Sequence, residues 1–198
     1  MTSHRLLSPA DCRRLPWKNG GGRTTEIASH PAHAALDAFS WRVSVADVAR
    51  DGPFSAFDGI DRTLVLLAGA GMRLERDGAA VDLTAPYEPY AFRGEDAIHC
   101  VLHDGAVRDF NLMLRRGAAR GGVTVVRGAG ARVGPARFRL CYAAAGAAEC
   151  LLAGHPPIAL ATERTLLVEA TPGAASSLSI HPTSADAAVI AVHIDLVP

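Results

Sequence analysis

The sequence predicts an all-β fold, a barrel or sandwich of many short strands. Three observations point that way: apolar residues alternate at period two, glycine and proline punctuate the runs, and helical periodicity is almost absent. Residues 39–45, Phe-Ser-Trp-Arg-Val-Ser-Val, show the alternation plainly. Phe39, Trp41, Val43 and Val45 take one face, and Ser40, Arg42 and Ser44 the other. Similar runs lie at 63–67, 71–76, 80–83, 90–92, 98–103 and 109–115, and then at 123–126, 137–141, 149–152, 165–169, 177–181 and 188–196. Asp77-Gly78, Arg93-Gly94, Asp104-Gly105 and the Ala-Gly-Ala-Gly of 68–71 separate them. Only 8–15 and 31–38 read as helical, and both are short. About thirteen short strands with tight turns fit a barrel or sandwich.

Length and composition bound the possibilities. At 198 residues the chain is one large β domain or two small ones, and 49% hydrophobic against 20% charged is usual for a packed globule. Twenty basic residues balance twenty acidic ones. That balance leaves no basic footprint for nucleic acid or an anionic membrane, and directs attention to a small molecule or another protein. No run approaches the roughly 20 apolar residues of a membrane helix. The opening MTSHRLLSPADCRRL lacks the apolar core of a signal peptide. Cys12, Cys100, Cys141 and Cys150 have no CxxC spacing, so reduced thiols and a cytoplasmic location are expected.

Nineteen of the twenty basic residues are arginine, there are two asparagines, and glutamine is missing, as under GC-rich codon drift. Against that background the single lysine, Lys18, and the asparagines Asn19 and Asn111 are candidates for required side-chain chemistry. Lys18 and Asn19 sit in Pro16-Trp17-Lys18-Asn19-Gly20-Gly21-Gly22. Three glycines there suit either a tight turn before a strand at 24–27 or a loop whose amides face a ligand. It is not a phosphate-binding P-loop, because the lysine precedes the glycines and no strand–loop–helix surrounds it.

The segment 109–115 alternates most sharply. Asp109, Asn111, Met113 and Arg115 share one face; Phe110, Leu112 and Leu114 share the other. The polar face meets solvent, or it lines the inside of a closed barrel. Residues 52–62 form a loop with Phe54 and Phe57 that could plug a barrel mouth, with Arg62 turned inward. The cations Lys18, Arg42, Arg62 and Arg115, with Asn19, Ser44, Asp109 and Asn111, suit a small anionic molecule, since arginine forks match carboxylates. Both tryptophans and five of six phenylalanines precede residue 117, which places the site in the first half.

Three ordered blocks, PWKNGGGRTTEIA, FSWRVSVADVARDGPFSAFDGIDRTLVLLAGAGMRL and DFNLMLRRG, resemble the signature of the HutD/Ves family. The resemblance is dense over about 15–116. It implies a cupin-like (RmlC-like) double-stranded β-helix, a bicupin in a single domain with halves at about 1–117 and 118–198. It also implies a link to histidine utilisation through binding of an intermediate such as urocanate or formylglutamate, to temper the pathway rather than catalyse a step. The motif residues fall on Trp17, Lys18, Asn19, Arg42, Ser44, Phe54, Arg62, Asp109, Asn111 and Arg115.

No cofactor or metal is expected. Metal-binding cupins carry His-x-His, which this chain lacks. His99 and His103 would stand about 13 Å apart along a strand, against the 3–4 Å separating ligands of one zinc. There is no Gly-x-Ser-x-Gly elbow. The residues alone leave three readings open: a non-catalytic carboxylate-binding protein, a metal-independent isomerase, epimerase or hydrolase, and an interaction protein. Homodimerisation is also open.

Overall fold

A computed structural model describes residues 2–17, 20–171 and 176–198. Strand dominates, and no α-helix occurs among the described residues. The strands are β1 (Thr2–Leu7), β2 (Arg13–Pro16), β3 (Gly22–His30), β4 (Trp41–Val48), β5 (Gly52–Pro53), β6 (Ile60–Ala68), β7 (Met72–Arg76), β8 (Ala79–Leu83), β9 (Pro89–Arg93) and β10 (His99–Leu102). They continue with β11 (Val107–Arg115), β12 (Ala119–Val126), β13 (Ala131–Val133), β14 (Phe138–Ala145), β15 (Ala148–Leu152), β16 (Ile158–Leu160), β17 (Thr165–Ala170), β18 (Leu178–Pro182) and β19 (Ala188–Leu196). Every strand expected from alternation is present. Those not expected as strands, β1, β2, β5, β13 and β16, are exposed or too short to show a period.

The two segments expected to be helical are not. Residues 8–15 make one 3-10 turn, Pro9–Asp11, and then enter β2. Asp11 accepts hydrogen bonds from the Ser8 amide and hydroxyl at 2.8 and 2.6 Å, so Ser8 favours a turn over a growing helix. Residues 31–38 form isolated turns. Arg115 takes the carbonyls of Asp37 and Phe39 at 2.7 and 2.8 Å, which holds this segment as a loop.

The chain divides into two compact units, Cys12–Ala118 and a second made of Met1–Asp11 with Ala119–Pro198. The first eleven residues therefore go with the C-terminal half, because β1 pairs antiparallel with β17 from Thr2↔Ala170 to Leu7↔Thr165. Each unit is built of two antiparallel sheets. In the first these run β2-β3-β4-β11-β6-β9 and β5-β10-β7-β8; in the second, β1-β17-β14-β19-β12 and β13-β18-β15-β16.

These orders contain a repeat. Adding eight to each label of β4-β11-β6-β9 and β5-β10-β7-β8 gives β12-β19-β14-β17 and β13-β18-β15-β16. An eight-strand motif thus occurs twice, with β2 and β3 added beside β4 in one copy and β1 beside β17 in the other. Each copy has its own core. Leu64, Leu66, Met72, Leu74, Ile98 and Cys100 pack together in the first, and Cys141, Cys150, Leu166, Val168, Leu178 and Ile180 in the second.

The glycine run closes the β2–β3 hairpin. The Trp17 amide donates to the Gly22 carbonyl at 2.9 Å, and Gly20 donates to Trp17 at 3.0 Å. Gly22 is required by close approach: a Cβ there would collide with the Asp47 carbonyl oxygen and come within 3.2 Å of the Trp17 ring. Gly22→Ala should therefore cost about 1–3 kcal/mol through forced backbone displacement. Urea melts of the variant and of Gly134→Ala, where the added Cβ meets nothing and the backbone is not left-handed, check this; equal loss at both positions would count against the steric account.

Candidate functional site

The register of β11 between β4 and β6 builds the site. Met113 lies between Arg42 and Arg62, Asn111 between Ser44 and Leu64, and Asp109 between Ala46 and Leu66. Directly paired residues share a sheet face, so Arg42, Ser44, Arg62, Asp109, Asn111 and Met113 all point the same way. Ala46, Leu64 and Leu66 on that face pack with Met72, Leu74 and Cys100 of the four-stranded sheet. The polar side chains therefore stand on the inner face. All of them are buried.

Their hydrogen bonds form a chain. Arg62 donates from Nε and Nη2 to Asn111 Oδ1 at 3.3 and 3.2 Å, and Asn111 Nδ2 donates to Asp109 Oδ1 at 2.9 Å. Arg42 Nε donates to Glu26 Oε2 at 2.7 Å in a buried ion pair. A register shift between Glu26 and Ala28 lets both Glu26 and Ser29 neighbour β4 on this face. Arg42 has its carboxylate, but Arg62 pairs with none among the described residues. Its third hydrogen bond, from Nη1 to the Ser55 carbonyl, is 3.4 Å long. Three rings surround it instead: Phe92 at 4.7 Å, Phe54 at 5.4 Å and Phe57 at 5.6 Å from Cζ.

A family model for HutD matches residues 9–187. The chain belongs to the HutD family. A 21.2 kDa Pseudomonas putida protein, described as lying in the hutC 3′ region, is 39% identical over 155 residues, 78% of this chain and 81% of that one. Protein Ves from Citrobacter koseri is 35% identical over 119 residues, 58% of this chain and 61% of Ves. Among solved structures, a conserved protein of unknown function from Pseudomonas aeruginosa PAO1 matches with a TM-score of 0.85 at 37% identity, over 98% of this chain and 99% of that chain. HutD from Pseudomonas fluorescens SBW25, in a formate condition, gives 0.82 at 30% identity over the same shares. An oxalate decarboxylase from Lactobacillus farciminis gives 0.64 at 6% identity, over 97% of this chain and 85% of that chain, a likeness of fold alone. The fold is cupin-like.

Of the HutD-family motif residues, the structure gathers Arg42, Ser44, Phe54, Arg62, Asp109 and Asn111. Lys18 and Asn19 lie outside the described residues. Trp17 stands beside the group: it packs on the same core, and its Nε1 donates to Thr24 Oγ1 at 2.8 Å. Arg115 is placed elsewhere. At the end of β11 its guanidinium turns to the carbonyls of residues 37 and 39 and packs over Phe39 at 5.5 Å. Three members were not anticipated. Glu26 lies inside the PWKNGGGRTTEIA block, where its charge could have been matched to Arg42. Phe92 is the β9 partner of Arg62, and Phe57 belongs to the loop expected to plug the barrel.

Burial sets the electrostatics. Asp109, 1% exposed, is pushed up to about 6 by desolvation, against the opposing pull of the Asn111 hydrogen bond and the Arg62 charge. Arg62 is brought down to about 10, again mainly by desolvation, with Asp109 opposing and Arg42 assisting. Cys100 is pushed up to about 12 by burial and by the nearby Asp109 and Asp51 charges, so it is no nucleophile.

A carboxylate whose folded pKa is raised imposes no penalty below its unfolded value near 4. The penalty grows between about pH 4 and 6 and is complete above that. Asp109→Asn keeps the acceptor for Asn111 and removes the charge. It should stabilise the protein by on the order of 1–3 kcal/mol at pH 7, a gain that disappears below pH 4. Denaturant melts across that range test it; a variant less stable than wild type at pH 7 would overturn the assignment.

Proposed function

We propose that this chain is a non-catalytic binding protein for a small carboxylate, an intermediate of histidine utilisation such as urocanate or formylglutamate, and that it tempers the pathway. The observation that carries the reading is Arg62: 9% exposed, cationic, and held among the described residues only by neutral acceptors and ring faces. A guanidinium has five N–H donors, and three of them bond to described residues, so two donors are left for a ligand in this reading. A carboxylate takes two parallel N–H groups of such a fork. Phe54, Phe57 and Phe92 supply apolar walls, and the unused Nδ2 hydrogen of Asn111 a further donor. The family's association with histidine utilisation, and the hutC-region relative, support the choice of pathway. In the same reading the repeated eight-strand motif is two cupin barrels.

The pKa of Asp109 favours one alternative, a metal-independent enzyme in which Asp109 exchanges a proton near neutral pH beside Arg62. Turnover of urocanate or formylglutamate by the purified protein, abolished in Asp109→Asn, would replace the binding reading.

A ligand bound only by the folded state raises the melting temperature. Urocanate or formylglutamate should do so at millimolar levels, and Arg62→Met should weaken binding roughly tenfold or more, the cost of a charge-assisted pair. Affinity should also rise as pH falls through about 6, because protonating Asp109 removes a negative charge that competes for Arg62. Calorimetric titration between pH 5 and 8 measures both. No melting shift with either acid, or an affinity indifferent to Arg62, would end the proposal.

A further inference from the structure

The repeat allows the two units to be compared residue by residue. In the first, one row across the sheet reads Arg42, Met113, Arg62, Phe92 along β4, β11, β6 and β9. The corresponding strands β12, β19, β14 and β17 carry the row Gly122, His193, Arg139, Val168, and β1 extends it with His4. Arg139 therefore holds in its unit the place that Arg62 holds in the other. One step inward, Ser44–Asn111–Leu64 is answered by Thr124–Ala191–Cys141, and Ala46–Asp109–Leu66 by Val126–Val189–Ala143. The second unit has the arginine too, with Ala191 and Val189 where the first has the amide and carboxylate behind it.

Arg139 is 1% exposed, and no carboxylate pairs with it among the described residues. Its Nη1 and Nη2 donate to the carbonyl and hydroxyl of one residue, Ser176, at 2.6 and 2.5 Å. Its Nε is buried and has no hydrogen-bond partner among the described residues. The other titratable groups of the row are basic. His193 is exposed beside it and lies over Gly122, whose Cβ, if present, would stand 3.2 Å from the ring. His4 lies across Val168, with its ring 4.6 Å from that of His155. The nearest acid on the face by register is Asp195, which accepts from the Arg137 amide at 2.8 Å. Two oxygens on one serine thus occupy the guanidinium fork where the two oxygens of a carboxylate would fit.

We infer that the second unit holds its own site for a small carboxylate, centred on Arg139 and rimmed by His193 and His4, with Ser176 as the internal group that the ligand displaces. The inference does not depend on the Arg62 site, and its test reads the two apart. Acetate is titrated into the full-length protein at constant ionic strength while the imidazole signals of His4 and His193 are followed by NMR. Both should shift saturably in wild type and in Arg62→Met. Arg139→Gln should lose the saturable shift, and His193→Ala, on the exposed rim, should weaken binding several-fold as read at His4. Ser176→Ala removes one competing acceptor and should bind several-fold more tightly. Folding of each variant is checked by its melting curve. If Arg139→Gln fails to fold, the opposed responses of Ser176→Ala and His193→Ala decide. Signals that do not saturate, that move equally in Arg139→Gln, or that ignore Ser176→Ala would overturn the inference.

Discussion

The pairing register of β11 is the constraint on which the rest depends. It lies between β4 and β6, and a shift of one residue would exchange Asp109, Asn111 and Met113 for Phe110, Leu112 and Leu114 on the inner face. Both sets are buried, so the register is not set by simple exclusion of polar groups from the interior. Partners set it. Asn111 finds Arg62 only when both point inward. A slipped strand would leave the Arg62 guanidinium buried without its amide acceptor and carry the Asp109 carboxyl to the opposite face away from that cation, each costing several kcal/mol.

The four charged groups on this face are not equivalent. Glu26 and Arg42 are in direct contact and largely cancel. Arg62 and Asp109 are separated by Asn111, which bonds to both and lets neither neutralise the other by contact. The raised pKa of Asp109 and the lowered pKa of Arg62 both record incomplete compensation. At an effective dielectric of about 20, an anion about 4 Å from a cation gains on the order of 4 kcal/mol before desolvation is counted. A ligand carboxylate at Arg62 would supply the contact that Asn111 withholds from Asp109. In this arrangement the amide acts as a spacer as well as a donor.

Alternation made β11 and β4 legible, and with them Arg42, Ser44, Asp109 and Asn111, because a two-residue period maps directly onto a face. Arg62 was legible through the Phe-rich loop before it. Glu26 was not, because a bulge rather than a regular period brings it to Arg42. Arg115 obeys the alternation in sequence and departs from it in space: at a strand end a long side chain can turn to loop carbonyls, and Asp37 and Phe39 offered two. The helical reading of 8–15 and 31–38 failed because hydrogen bonds from Ser8 in the first case and Arg115 in the second favour turns. The placement of the first strand against β17 depends on pairing across more than 150 residues, which no local pattern encodes.

The repeat was hidden for a related reason. Equivalent positions on β11 and β19 are Met113 and His193, Asn111 and Ala191, Asp109 and Val189, which share no identity. Strand order and register match while most side chains differ, and the one identity across the central row is arginine, at 62 and at 139. A buried guanidinium is expensive to desolvate, and an aliphatic residue would pack in its place at less cost. In the first unit an amide, a carbonyl and three aromatic rings offset that cost. In the second, Ala191 and Val189 stand where the first unit has its polar layer, and among the described residues two oxygens of Ser176 carry the compensation, with no partner at Nε. A side chain kept under those terms does little for packing that leucine would not do better. Its worth to the fold therefore lies in what its fork can hold, and among the described residues that is Ser176.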